Sequence, residues 1–226
     1  MGTYAVTPGL FKCTPCPLDT YSSSEAAKNE STCNPCPYPY VTRNMGSTSF
    51  SDCLLGPRLL NFDFDKALGR LTLEFDSAIQ PKSFITSQVT FHGAKISLNP
   101  NISIPTMTLT RAFNNLANQQ NGTSLFVILD ADDYARFLML GPSNMGSNKN
   151  NLYLTLGKGA VRNLNDTINH ELRLNESFLV RNLFPDTAAG LITNFALDMH
   201  RGILSLEFTK PVSYIFLIMN ILIKYF

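Results

Sequence analysis

From Arg58 onward, apolar and polar residues take turns. Leu60, Phe62 and Phe64 occupy one parity, with Asn61, Asp63 and Asp65 on the other; after Lys66-Ala67-Leu68-Gly69, Leu71, Leu73 and Phe75 alternate with Arg70, Thr72, Glu74 and Asp76. A period of two is what a strand with one buried face requires, and the short glycine-bearing connection closes the pair into a hairpin. The same texture predicts strands at residues 83–91, 106–110, 124–129, 151–156 and 171–174. Short strands parted by Asn, Gly, Ser and Pro clusters predict an antiparallel β-sandwich. One stretch departs from the alternation. From Asp130 to Leu140 an acidic start precedes Tyr134, Phe137 and Leu138 at helical spacing; it predicts one short helix, with Asp130 as N-cap and Gly141-Pro142 as the stop.

The opening hairpin recurs. Leu60 to Asp65 and Gly69 to Phe75 return as Thr193-Asn194-Phe195-Ala196-Leu197-Asp198 and Gly202-Ile203-Leu204-Ser205-Leu206-Glu207-Phe208, at an offset of 133 residues. A copied hairpin predicts one sandwich over residues 58–188 and the opening of a second at 190–213. A lone hairpin is marginally stable in water, so the copy must either be loose or lean on the first sandwich. Residues 214–226 form an apolar tail with a single charge, Lys224, that abandons the repeat. The tail is too short for a typical helical membrane span and is aggregation-prone if exposed. No signal peptide precedes Gly2, and both ends are expected to be cuts through a longer chain, with any membrane attachment outside it.

Composition narrows the class. Of 226 residues, 15% are charged, and 18 basic against 17 acidic side chains leave a formal charge of +1. That balance gives no footprint for nucleic acid. All five cysteines, Cys13, Cys16, Cys33, Cys36 and Cys53, lie in the first 53 residues with the spacing C-x2-C-x16-C-x2-C-x16-C. Prolines follow each pair, in Cys13-Thr14-Pro15-Cys16-Pro17 and Cys33-Asn34-Pro35-Cys36-Pro37, and tyrosines recur at Tyr21 and Tyr40. Two readings fit. Four thiolates in two C-x2-C pairs can hold zinc in an intracellular module, which leaves Cys53 unused and the prolines and Tyr21 unexplained. Disulfides account for all of these, because about 50 residues with few aliphatic side chains cannot bury enough surface to fold without covalent links.

At residues 2–53 the chain resembles the ephrin-receptor-like cysteine-rich repeat, a relative of the tumour-necrosis-factor-receptor and growth-factor-receptor modules. The matching pieces are Gly2-Thr3-Tyr4, the two proline-bearing cysteine pairs, Thr20-Tyr21-Ser22, and Gly46 to Cys53. The resemblance implies bonds from Cys16 to Cys33 and from Cys36 to Cys53, leaving Cys13 unpaired for want of its partner. Asp19 stands where the family often has glycine, which bears on the local turn geometry and not on the pairing. From Leu59 to Phe75, Leu125 to Leu140, and Asn151 to Leu156 with Ala160-Val161-Arg162-Asn163, the chain also resembles a tandem immunoglobulin-like repeat of large surface proteins. It lacks the tryptophan and inter-sheet disulfide of antibody domains.

Chemistry is sparse. His92, His170 and His200 lie far apart, outside any metal-ligand pattern, and read as surface or loop residues; no hydrolase elbow, phosphate loop, dinucleotide or kinase signature is present. Asp130, Asp132 and Asp133 lack the spacing of a calcium loop and read as ordinary acids at a helix start, while Asp63 and Asp65 read as solvent-facing strand positions. Sequons stand at Asn29, Asn101, Asn121, Asn165 and Asn175. The sequence thus predicts a mainly β protein: a disulfide-laddered cysteine-rich module over residues 1–53, then an immunoglobulin-like sandwich with one helix. No catalytic residue, metal or cofactor is expected. The expected role is adhesion, spacing or binding of a protein or glycan ligand outside the cell or at its surface.

Overall fold

The structure, a computed structural model, describes residues 1–7, 12–95, 104–111, 116–140, 145–172, 174–187 and 190–209. Asn101, Gly141-Pro142 and residues 210–226, which include the apolar tail, lie outside them.

The first 55 residues build three rungs. β1 (Thr3–Tyr4) pairs antiparallel with β2 (Thr14–Pro15), β3 (Thr20–Tyr21) with β4 (Asn34–Pro35), and β5 (Tyr40–Val41) with β6 (Leu54–Leu55). Two-residue strands have no independent stability. Disulfides join Cys16 to Cys33 and Cys36 to Cys53, each with a sequence separation of 17. Backbone bonds tie the rungs together: the Gly2 N–H donates to Ser22 O at 2.7 Å, Ser22 N–H to Ser47 O at 3.0 Å, and Gly46 N–H to Cys16 O at 2.8 Å. Gly2, at φ +69°, is required here, since a Cβ would lie 2.1 Å from the Gly46 carbonyl oxygen. Apolar burial is slight, with Cys16, Ala27, Val41 and Cys53 as the buried hydrophobic residues. Sulfur takes the place of a core.

The rest is a two-sheet structure. Its strands are β7 (Leu59–Asp65), β8 (Arg70–Ile79), β9 (Val89–His92), β10 (Thr106–Thr108), β11 (Gly122–Ile128), β12 (Tyr153–Leu156), β13 (Phe178–Leu179) and β14 (Asn182–Phe184), with one helix, α1 (Ala131–Leu140), between β11 and β12. One sheet has the order β11-β8-β7-β14, the other β10-β9-β12-β13. Their facing sides form the core. Phe64, Phe91 and Phe137 meet at its centre, with ring centroids 4.6 to 5.6 Å apart, and each is fully buried. Burying one such ring contributes roughly 1.5–3 kcal/mol. The expected helix is present, and Asp130 caps it: its Oδ1 accepts the Asp133 N–H at 2.8 Å. On the edge of β11 away from β8, the Gln119 carboxamide holds both backbone groups of Phe126, accepting its N–H at 2.9 Å and donating to its carbonyl.

Several expectations are corrected. A bulge between Leu59 and Asn61 shifts the β7 register, so Leu59 enters the core and Leu60 faces out at 43% exposure. Residues 83–91 are mostly not a strand. Pro81–Ser83 and Thr86–Gln88 form 3-10 turns, and only Val89–His92 (β9) pairs as a strand there. Among the described residues of 171–174 no strand forms; Leu174–Glu176 is a 3-10 turn and the strand comes at β13. The sandwich is not purely antiparallel either. After β13 the chain crosses through Val180 and Arg181 to the other sheet, where β14 runs parallel to β7. Arg181 N–H donates to Phe62 O and Lys66 N–H to Phe184 O, both at 2.9 Å.

The copied hairpin forms as β15 (Ile192–Asp198) and β16 (Ile203–Phe208). Every residue of β15 is exposed.

Candidate functional site

The module and the sandwich meet through Asp19, Tyr38, Arg43 and Gly56. Asp19 sits at φ +64°, the left-handed region that glycine takes freely and aspartate tolerates. That accounts for its standing at a glycine position. Thr42 Oγ1 accepts the Asp19 N–H at 2.8 Å, and the Asp19 carbonyl accepts the Cys36 N–H at 2.8 Å. Its carboxylate bridges the two parts: Oδ1 accepts the Thr42 N–H at 3.3 Å within the ladder, and Oδ2 pairs with Lys158 in the loop after β12.

Tyr38 makes a second bridge. Its hydroxyl donates to Glu176 Oε2 at 2.8 Å, and its ring meets His170 edge-on at 4.6 Å. Arg43 Nε donates to Thr167 Oγ1 at 3.4 Å. At the connection itself a Cβ on Gly56 would lie 1.8 Å from the Ile168 carbonyl oxygen, so the backbone approaches the sandwich as closely as only glycine allows.

Between these contacts lies a cleft of about 640 Å³, lined by residues that include Tyr38, Leu55, Arg58, Leu60, His170 and Phe178. Apolar side chains mix there with charged ones. The Arg58 N–H donates to Asp76 Oδ1 at 2.8 Å, and Glu171 and Glu176 also line the cleft. The bulge that turned Leu60 outward supplies part of the apolar wall. A concave, mixed surface of this kind suits recognition. Among the described residues no group of three or more His, Cys, Asp or Glu is placed to hold a metal ion. Of the four thiolates that a zinc site in the two C-x2-C pairs would need, those of Cys16, Cys33 and Cys36 are consumed as disulfides, and only Cys13 is free.

The other singled-out residues are scattered. Cys13 is an exposed free thiol. Asn29, Asn121, Asn165 and Asn175 are all exposed. His92, expected at the surface, is 3% exposed, with Nε2 at 2.8 Å from Thr155 Oγ1, and burial lowers its pKa. Asp133 is not an ordinary helix-start acid but a fully buried anchor: it accepts the Thr110 and Arg111 N–H groups at 2.6 and 3.0 Å and pairs with Arg136.

Asp63 does not simply face solvent. Arg181 grips both it and Glu74, with Nε donating to Asp63 Oδ1 at 2.9 Å and a second nitrogen to Glu74 Oε2 at 2.6 Å. Burial pushes the Asp63 carboxyl up, yet Arg181 and Asn182 leave it below its ordinary value. The hydrogen bond from Arg181 likewise lowers Glu74. Lys158, Tyr38, His170, Glu176 and Arg181 were not legible as a set, and aspartate in place of glycine at position 19 bore only on the local turn.

Residues 2–53 match the family model described as tyrosine-protein kinase ephrin type A/B receptor-like, a non-catalytic domain family typical, like its disulfides, of extracellular proteins. No solved structure matches the chain.

Proposed function

We propose that the chain is a non-catalytic part of a secreted or cell-surface multidomain protein, an extracellular spacer that carries a recognition surface where its two parts join. The observation that carries this reading is the docking itself. Asp19 on Lys158, Tyr38 on Glu176 and His170, and Gly56 against Ile168 fix the ladder to the sandwich at separate points, as a spacer of set angle requires. The disulfides favour an oxidising compartment. The ligand is an extracellular protein or a glycan, received in the cleft beside Tyr38.

In this reading residues 58–188 are one immunoglobulin-like unit of a tandem array, residues 190–213 open the next, and the exposed sequons at Asn29, Asn121, Asn165 and Asn175 carry glycans. Mass spectrometry of unreduced, secreted protein is the test. Linked peptides containing Cys16 with Cys33 and Cys36 with Cys53 are expected; free thiols with stoichiometric zinc would overturn the reading. For the ligand, glycan-array binding without turnover, lost in Tyr38→Ala, supports recognition at the cleft, and binding unchanged by that substitution rejects it.

A further inference from the structure

The β15–β16 hairpin reproduces β7–β8 in detail. Ile192 pairs with Phe208 and Asn194 with Glu207 across a bulge, just as Leu59 pairs with Phe75 and Asn61 with Glu74. Asp198 Oδ1 accepts the His200 and Arg201 N–H groups at 3.0 Å each, as Asp65 does for Ala67 and Leu68. Gly202 turns at φ +64° where Gly69 turns at +58°. At the open end Thr209 and Leu191 exchange two hydrogen bonds, as Asp76 and Arg58 do.

The surroundings differ. Phe62, Phe64 and Leu71 are fully buried, whereas their counterparts Phe195, Leu197 and Leu204 are 70%, 55% and 37% exposed. The first hairpin therefore shows partners that the copy does not find among the described residues: β11 along β8, β14 along β7, and the second sheet across the apolar face.

Substitutions between the copies distinguish the two edges. The β14 edge depends on Asp63, which holds Arg181 and Asn182, and the copy has Ala196 there. The β11 edge depends on Leu71 and Leu73, opposite Val127 and Leu125, and the copy keeps leucine at both, as Leu204 and Leu206. On the outer face Arg70 lies over the Phe126 ring at 5.9 Å. Its counterpart is Ile203, 52% exposed, which meets an aromatic or aliphatic neighbour without a cation.

Resting on the tandem-array reading above, we propose that the edge of β16 that no described strand pairs is an acceptor for an antiparallel strand of β11 chemistry, supplied by a neighbouring unit of the same repeat type. The incoming strand places apolar residues opposite Leu204 and Leu206 and an aromatic or aliphatic residue opposite Ser205. Pairing supplies the backbone bonds, and the alternating side chains set the register.

The experiment adds a synthetic peptide of residues 122–129 to the full chain and follows amide hydrogen exchange. Exchange at residues 203–208 is expected to slow by at least about tenfold, with no effect from a scrambled peptide. Leu204→Asp should abolish the slowing while protection in β7 and β8 persists, so that loss of fold is not the cause; Ala196→Asp, on the other strand, should leave it intact. Four results overturn the proposal: no slowing at 203–208, equal slowing with the scrambled peptide, slowing undiminished in Leu204→Asp, or full protection of 203–208 before any peptide is added.

Discussion

Asp19 and Lys158, 139 residues apart, form an ion pair between the cysteine ladder and the sandwich. Both side chains are partly exposed, at 25% and 36%, so the pair contributes at most about 1 kcal/mol to stability. Its effect is on orientation. Asp19→Gly keeps the left-handed turn and removes the carboxylate. It is expected to leave both disulfides and the unfolding midpoint nearly unchanged while broadening the distribution of angles between the two parts, as read by small-angle scattering. Lys158→Ala should behave alike, and the double variant should add nothing further.

Gly56 tolerates no side chain in the docked arrangement. A methyl group there meets the Ile168 carbonyl, which is backbone and cannot rotate away. Gly56→Ala should therefore separate the ladder from the sandwich or cost about 1–3 kcal/mol of strain. Limited proteolysis between Cys53 and Arg58 is expected to become several-fold faster, with cutting inside β7 and β8 unchanged.

Arg181 links acid sensitivity to β14. With Asp63 and Glu74 both held below their ordinary values of 3.8 and 4.5, the folded state binds fewer protons than the unfolded one in that range. The bridge therefore stabilises fully above pH 4.5, and its contribution is lost as pH falls through the folded values. Arg181→Met should cost about 1 kcal/mol at neutral pH, allowing for the exposure of the guanidinium. Urea midpoints of the two proteins should converge in acid. A gap that stays constant with pH argues that packing, not charge, holds β14.

His92 acts in the same direction over a higher window. Burial lowers its folded pKa from 6.5, so below pH 6.5 the unfolded chain takes up a proton that the folded chain resists. Stability should fall as pH drops through this window, down to the folded value. His92→Gln keeps a hydrogen-bonding group near Thr155 and should flatten that part of the profile; an unchanged slope assigns it to another group.

The two regimes of the chain were legible for different reasons. Alternation exposes a hairpin such as β7–β8 because each second residue must be apolar, and the 133-residue echo carried that reading to β15–β16. Alternation is silent where the backbone slips by one residue. Leu59 and Leu60 are both leucine, and only the bulge decides which enters the core. Parallel pairing of β14 was equally hidden, because three residues carry too little pattern to name their neighbour. The junction was the least legible part. Asp19, Tyr38, Gly56, Lys158 and His170 are ordinary residues separated by long stretches of chain, and nothing in their local spacing says that folding brings them to one place.

The parallel run of β14 beside β7 also sets how the protein carries load. The ladder enters the sandwich at the start of β7, and the copied hairpin leaves it just after the end of β14. A pull on the two flanking parts therefore slides these strands past each other, so that the Arg181–Phe62 and Lys66–Phe184 hydrogen bonds share the tension and must rupture together. They cannot be unzipped one at a time. A tether routed this way resists extension at its narrowest shared seam, with the Arg181 grip on Asp63 as the rivet.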